Sequence, residues 1–148
     1  MKALVVYDSK FGHTAQIAQA IGQAIDAQVL QVDEVSPSDL EGLDLLIVGS
    51  PTHGGFPTEG IQSLGKASLA LRGVNVAAFD TRTKTTIFGY AAPKIAKNLK
   101  KRGGNLLAPP EGFFVLGTKG PLREGELERA AAWAREIISL TGVLPGDT

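Results

Sequence analysis

Ser9, Gly12 and Thr14 put two hydroxyls and a glycine into the short stretch Ser9-Lys10-Phe11-Gly12-His13-Thr14. It lies between an apolar run and a segment whose Ile17, Ala18, Ile21 and Ile25 recur at helical spacing. Hydroxyl donors, a glycine that admits close backbone approach and the unpaired N–H groups of a helix start all favour an anion. A phosphate group is the natural candidate. Taken alone, the loop is equally an ordinary strand-to-helix turn with a capping threonine, and the two readings stand level.

Two further loops carry chemistry. Ser50-Pro51-Thr52-His53-Gly54-Gly55-Phe56-Pro57 offers an imidazole and an aromatic ring among glycines and prolines. Asp80-Thr81-Arg82-Thr83-Lys84-Thr85-Thr86 offers a carboxylate, hydroxyls and two cations. His53 suits either a ligand contact or general-acid work, and contact is favoured because no residue that would orient it is visible in the sequence. Neither GxxxxGK[ST] nor GxGxxG occurs, which excludes a P-loop and argues against a Rossmann dinucleotide fingerprint. With no cysteine, thiolate metal sites, disulfides and cysteine nucleophiles are ruled out.

The elements that must position these loops alternate in type. Apolar or alternating runs predict strands over residues 3–7, 28–33 (a sheet edge), 45–49, 74–79 and 113–116, with Leu106-Leu107 a lead-in to the last. Helices are expected after the first loop, from about Thr58 to Leu71, from Tyr90 to Arg102 and from Glu124 to Leu140. Ser36-Pro37-Ser38-Asp39-Leu40 predicts a capped helical turn. Trp133 sits at a core spacing with Ala130 and Ile137. Tyr90 and Phe88 are read as packing residues. Alternating strands and helices predict an α/β fold, an open parallel sheet covered on both faces. All three polar loops follow strand ends, so they share one edge, where such sheets bind ligands.

The 148 residues fit one domain spanning 1–148, with 142–148 a loose tail. Lys plus Arg and Asp plus Glu are 15 each, which gives no support for a nucleic-acid or membrane-surface binder. No apolar run approaches the length of a membrane span, the start lacks the layout of a signal peptide, and a soluble cytoplasmic protein is the expectation.

The loop Ser9 to Thr14 resembles the phosphate loop of the flavodoxin family, and Gly49-Ser50-Pro51-Thr52-His53-Gly54-Gly55, the element order and the length match a short-chain flavodoxin-like domain up to about Thr141. The resemblance implies a flavodoxin-like three-layer αβα sandwich with a five-stranded parallel sheet in the order 2-1-3-4-5, FMN as cofactor, and electron shuttling between a reductase and an acceptor protein. Flavodoxin is itself a standard case of the ligand rule at the switch point. Transferred position by position, Ser9, Gly12 and Thr14 would hold the phosphate with amides of Lys10, Phe11 and His13. Pro51, Thr52, His53, Gly54, Gly55 and Phe56 would face the isoalloxazine, and Asp80, Thr81 and Arg82 its pyrimidine edge.

The departures from the family pattern are specific. Phe11 replaces a hydroxyl, and Phe11-Gly12-His13 is closer to flavodoxin-like quinone reductases. No tryptophan stands in loop 50–57. Lys10, Arg82 and Lys84 bring positive charge to the mouth where flavodoxins are acidic; turned toward the ring, they would make the reduction potential less negative. The alternatives are a small FMN-dependent NAD(P)H or quinone oxidoreductase, against which stands the lack of a long insertion near the last strand, and a flavin-free binding module. A receiver domain is excluded, since the third strand ends in Gly49-Ser50-Pro51 with no phosphoacceptor aspartate.

Overall fold

The computed structural model describes residues 1–66, 70–84 and 89–142. Thr85, Thr86 and Phe88, the stretch 67–69 of the expected third helix and the tail beyond Gly142 lie outside the described residues.

Strand β1 (Ala3–Tyr7) is apolar throughout because both its faces are covered: Leu4 and Val6 point to one side and Val5 to the other, all fully buried. Helix α1 (His13–Ile25) follows and buries Ile17, Ala18 and Ile21. Strand β2 (Gln28–Gln31) is shorter than expected. The Gln31 side chain accepts the Asp33 amide at 3.0 Å while Glu34 accepts the Gln31 amide at 3.2 Å, a reciprocal cap that turns Val32–Glu34 into a 3₁₀ turn. A second 3₁₀ turn, Pro37–Leu40, stands where the Ser-Pro signal put it.

Strand β3 (Leu45–Pro51) leads to helix α2 (Glu59–Lys66). The expectation that this helix reaches Leu71 is corrected: the Leu71 amide donates to the Arg102 carbonyl at 3.0 Å, and its buried side chain joins the core from outside the helix. Strand β4 (Asn75–Arg82) runs two residues past the expected end at Asp80. Helix α3 (Ala91–Lys101) precedes two short strands, β5 (Asn105–Leu106) and β6 (Glu111–Phe114), and helix α4 (Glu126–Leu140) closes the described chain.

The named strands all pair in parallel, in the order β2-β1-β3-β4-β5, with β6 also on β4; the two isolated bridges among the described residues, His53 with Phe56 and Val115 with Leu122, are antiparallel. The fifth position is therefore shared, β5 flanking Asn75 and Val76 and β6 flanking Phe79 to Arg82. Pro109-Pro110 accounts for the break, since proline has no N–H to give a ladder. Helices α2 and α3 cover one face through Ile61, Ile95, Ala96 and Leu99 against Leu4, Val6, Leu46, Val48 and Val76. Helices α1 and α4 cover the other through Ile17, Ile21, Ala130, Trp133 and Ile137 against Val5, Leu45, Ile47, Phe79 and Phe113. Trp133 is a core residue, edge-on to Phe79 and Phe113 with ring centroids 6.2 and 6.0 Å away. Among the described residues no helix is long and apolar enough to cross a membrane.

Candidate functional site

The sheet order reverses between β1 and β3, and the loops leaving these strands and β4 border a cleft of ≈ 340 Å³. Its lining brings together Lys10, Phe11, His13 and Thr14 from the first loop, Pro51, Thr52, His53 and Gly54 from the second, and Thr81 and Arg82 from the third. Thr83 of the third loop joins them, and two residues to which the sequence analysis assigned no part in the site, Val115 and Thr118, complete it. The signal for Thr118 was present: the polar run Gly117-Thr118-Lys119 follows the last strand, on the edge that holds the other loops.

Gly12 shapes the first loop. Its φ of 91° lies in the left-handed region that L side chains avoid, and it caps α1 with no side chain in the capping position. The Ser9 hydroxyl oxygen accepts the Gly12 amide at 3.1 Å and the Ala15 amide at 3.4 Å. Ser9 thus organises the loop without lining the cleft. The helix geometry leaves the first-turn amides without intrahelical partners at the positive end of the α1 dipole. The Thr14 hydroxyl is buried and hydrogen-bonded to the Thr81 hydroxyl at 2.8 Å, which ties the first loop to the third across the sheet. The His13 Nε2 atom is buried and has no partner among the described residues.

The second loop is held from beneath. Asp8 accepts the Thr58 hydroxyl at 2.6 Å and the Gln31 side-chain amide at 2.9 Å, and the Ser50 hydroxyl oxygen accepts the Thr58 amide at 3.0 Å. His53 and Phe56 exchange backbone hydrogen bonds of 2.8 and 2.9 Å, closing a tight turn around Gly54-Gly55. Pro51 through Gly54 therefore face the cleft, while Gly55 and Phe56 do not line it. The Lys94 ammonium lies 3.9 Å from the centre of the Phe56 ring and also donates to the Gly55 carbonyl.

The third loop departs most from expectation. Asp80 is fully buried and accepts two hydrogen bonds from Arg82, at 2.6 and 2.7 Å, and one from the Ala92 amide at 2.9 Å. Its carboxylate is spent inside the fold. Arg82 is sandwiched, its guanidinium 3.5 Å from the centre of the Tyr90 ring on one side and packed so closely on Gly112 that no Cβ would fit there. Arg82 still borders the cleft, with its charge matched by Asp80. Tyr90 stacks on Arg82 and lines no part of the cleft.

The donor set suits an elongated ligand with a phosphate at one end and a flat ring at the other. First-turn amides and the Lys10 ammonium stand at the α1 end, the Pro51–Gly54 backbone and the Phe11 ring supply flat surface, and the threonine hydroxyls of the third and last loops supply polar edges. FMN has this shape and these groups, and among the described residues no carboxylate lines the cleft to repel its phosphate.

A family model for flavodoxin matches residues 5–133. An archaeal flavodoxin structure superposes with a TM-score of 0.84 at 24% identity, covering 97% of this chain and 100% of that one. Flavodoxin 1 of Bacillus cereus superposes with a TM-score of 0.81 at 20% identity, covering 94% and 98%. Part of the chain, 43%, is 38% identical over 74 residues to a putative diflavin flavoprotein A of Thermosynechococcus vestitus, and the match spans 13% of that relative's length. The match over residues 5–133, together with the sheet order, decides the matter: the chain belongs to the flavodoxin family, whose proteins bind FMN and transfer electrons.

Proposed function

We propose that this chain holds FMN in the cleft between the three loops and serves as an electron carrier between a reductase and an acceptor protein in the cytoplasm. The observation that carries this reading is the cleft itself, lined by hydroxyls, flat surface and a lysine, with no carboxylate among the described residues, at the reversal point of the sheet. FMN, when bound, supplies the one- and two-electron chemistry. The protein's part is to bind and orient. First-turn amides of α1 and Lys10 hold the phosphate, with Ser9 fixing the loop that presents them. Pro51 to Gly54, braced by Asp8, Ser50 and Thr58, give a rigid wall for the ring. Thr81 and Arg82, fixed by Thr14 and Asp80, border its polar edge. No polar side chain is hydrogen-bonded to His53 among the described residues, which supports a contact role over acid–base work.

The test is an absorption spectrum of the purified protein before and after FMN is added, then anaerobic NADPH. A flavin spectrum that stays oxidised under NADPH is the expected result. Rapid bleaching reversed by a quinone would replace the carrier with an oxidoreductase. No uptake of FMN would overturn both.

A further inference from the structure

A second cavity, of ≈ 230 Å³, lies between helices α2 and α3 over Val48 of β3. Ile61, Leu64, Ile95 and Leu99 give it apolar walls, and Phe56 and Pro57 border it from the loop after β3. Pro51 to Gly54 of the same loop face the first cleft, and the two sites share no lining residue among the described ones. We propose that this cavity binds a single-ring aromatic carboxylate that also carries a hydroxyl group, at a site separate from the one for FMN.

Volume sets the size of the occupant. A dry apolar cavity of about 150 Å³ takes benzene, so ≈ 230 Å³ admits one ring with polar substituents. Two polar side chains choose those substituents. Lys94 is the one charged residue that lines the cavity among the described residues. Its ammonium lies 3.9 Å from the centre of the Phe56 ring and donates to the Gly55 carbonyl, and neither contact neutralises it. A carboxylate on the ligand does so with a charge-assisted hydrogen bond. One turn further along α3, Asn98 lines the same cavity, and its Oδ1 atom is buried without a hydrogen-bond partner among the described residues. The Gln62 amide on the facing helix is engaged elsewhere, donating to the Pro57 carbonyl at 2.8 Å. A buried acceptor left bare costs free energy that a ligand hydroxyl recovers. Residues four apart on a helix stand one above the other, about 5–6 Å apart, a spacing that a carboxylate and a hydroxyl at opposite ends of one ring match.

The probe is 4-hydroxybenzoate, titrated into isotopically labelled full-length protein with and without excess FMN while amide resonances are followed. Saturable binding is expected, with a Kd of about 1 mM or tighter. The shifts should centre on Ile61, Ile95 and the Asn98 side-chain amide, and FMN should leave the affinity unchanged. Lys94→Gln is expected to weaken 4-hydroxybenzoate about fivefold or more, and to leave 4-methylphenol, which has no charge, within about twofold. Asn98→Leu should bring 4-hydroxybenzoate down to the affinity of 4-methylbenzoate, which lacks the hydroxyl.

Absence of saturable binding would overturn the proposal, as would a Lys94→Gln variant that weakens the charged and neutral probes alike. Displacement of the probe by FMN, or shifts confined to Thr14, Thr52 and Thr81, would place it in the cleft and overturn the proposal too. A chain that takes up no FMN overturns the carrier reading alone, because the titration without FMN still reads this cavity.

Discussion

The contact between Thr14 and Thr81 shows how single side chains join loops far apart in sequence. Both residues are buried, and their hydroxyls satisfy each other at 2.8 Å. Thr81→Val leaves the Thr14 hydroxyl without its partner and is expected to cost about 1–2 kcal/mol, and Thr14→Val about the same. The double variant should cost less than the sum, because the second change removes a group already stranded. Urea unfolding of the three variants measures this, and strict additivity would refute the coupling. Asp80 presents a harsher case. Asp80→Ala strands a guanidinium that is 14% exposed together with the Ala92 amide, and should cost about 3–5 kcal/mol by the same measurement. The pairing was within reach of the sequence, since residues i and i+2 of a strand share a face. Ending the strand at Asp80 hid it, and left Arg82 looking like a free cation at the mouth.

At the scale of elements, α4 and β6 are joined by one carboxylate. Glu126 is almost fully buried, and it accepts the Phe114 amide at 2.7 Å and guanidinium groups from Arg123 at 2.9 Å and Arg129 at 2.7 Å. Burial alone would push its pKa up, but the Arg129, Phe114 and Arg123 hydrogen bonds outweigh burial and hold it at about 2 against an ordinary 4.5. The folded-state pKa lies below the unfolded one, so the stabilisation is complete above about pH 4.5 and is lost as pH falls toward 2. The amount at stake is on the order of a few kcal/mol. Urea unfolding at pH 7, 5 and 3 should show the wild type weakening across this window, and Glu126→Gln, less stable at pH 7, showing a shallower decline.

Packing between strands gives a second expectation at this scale. A Cβ on Gly49 would lie 2.0 Å from the Phe79 ring, so Gly49→Ala should destabilise by about 1–3 kcal/mol through overpacking, with the near-ultraviolet dichroism of the Phe79–Phe113–Trp133 cluster altered. What was legible follows the same division. Continuous apolar runs marked β1, β3 and β4, because strands covered on both faces have no polar side to confuse the pattern. The divided fifth strand and the shortened β2 were not, because each depends on a local competition: two prolines against a ladder, and a reciprocal cap against an extended chain. The loops of the site are marked by composition, the polar run around Thr118 included; the bracing by Asp8 requires the sheet to be assembled first.

For the whole molecule, the cleft couples binding to stability. The first-turn amides of α1, the wall after β3 and the edge at Thr81 belong to different elements, so a ligand touching all of them binds the folded chain alone. FMN should therefore raise the unfolding free energy with the logarithm of its free concentration, reaching about 2.7 kcal/mol at a hundredfold excess over Kd. The melting temperature should keep rising after the site is saturated, since mass action does not stop at full occupancy. Riboflavin has the same ring and lacks the phosphate. If the α1 end of the cleft is what holds the anion, riboflavin should need a far higher concentration for the same rise in melting temperature, and Lys10→Ala should weaken FMN more than riboflavin. Scanning calorimetry across a ligand series decides it. Equal rises from FMN and riboflavin at equal concentration would mean that the ring wall carries the affinity and that Gly12 and the amides behind it form an ordinary turn.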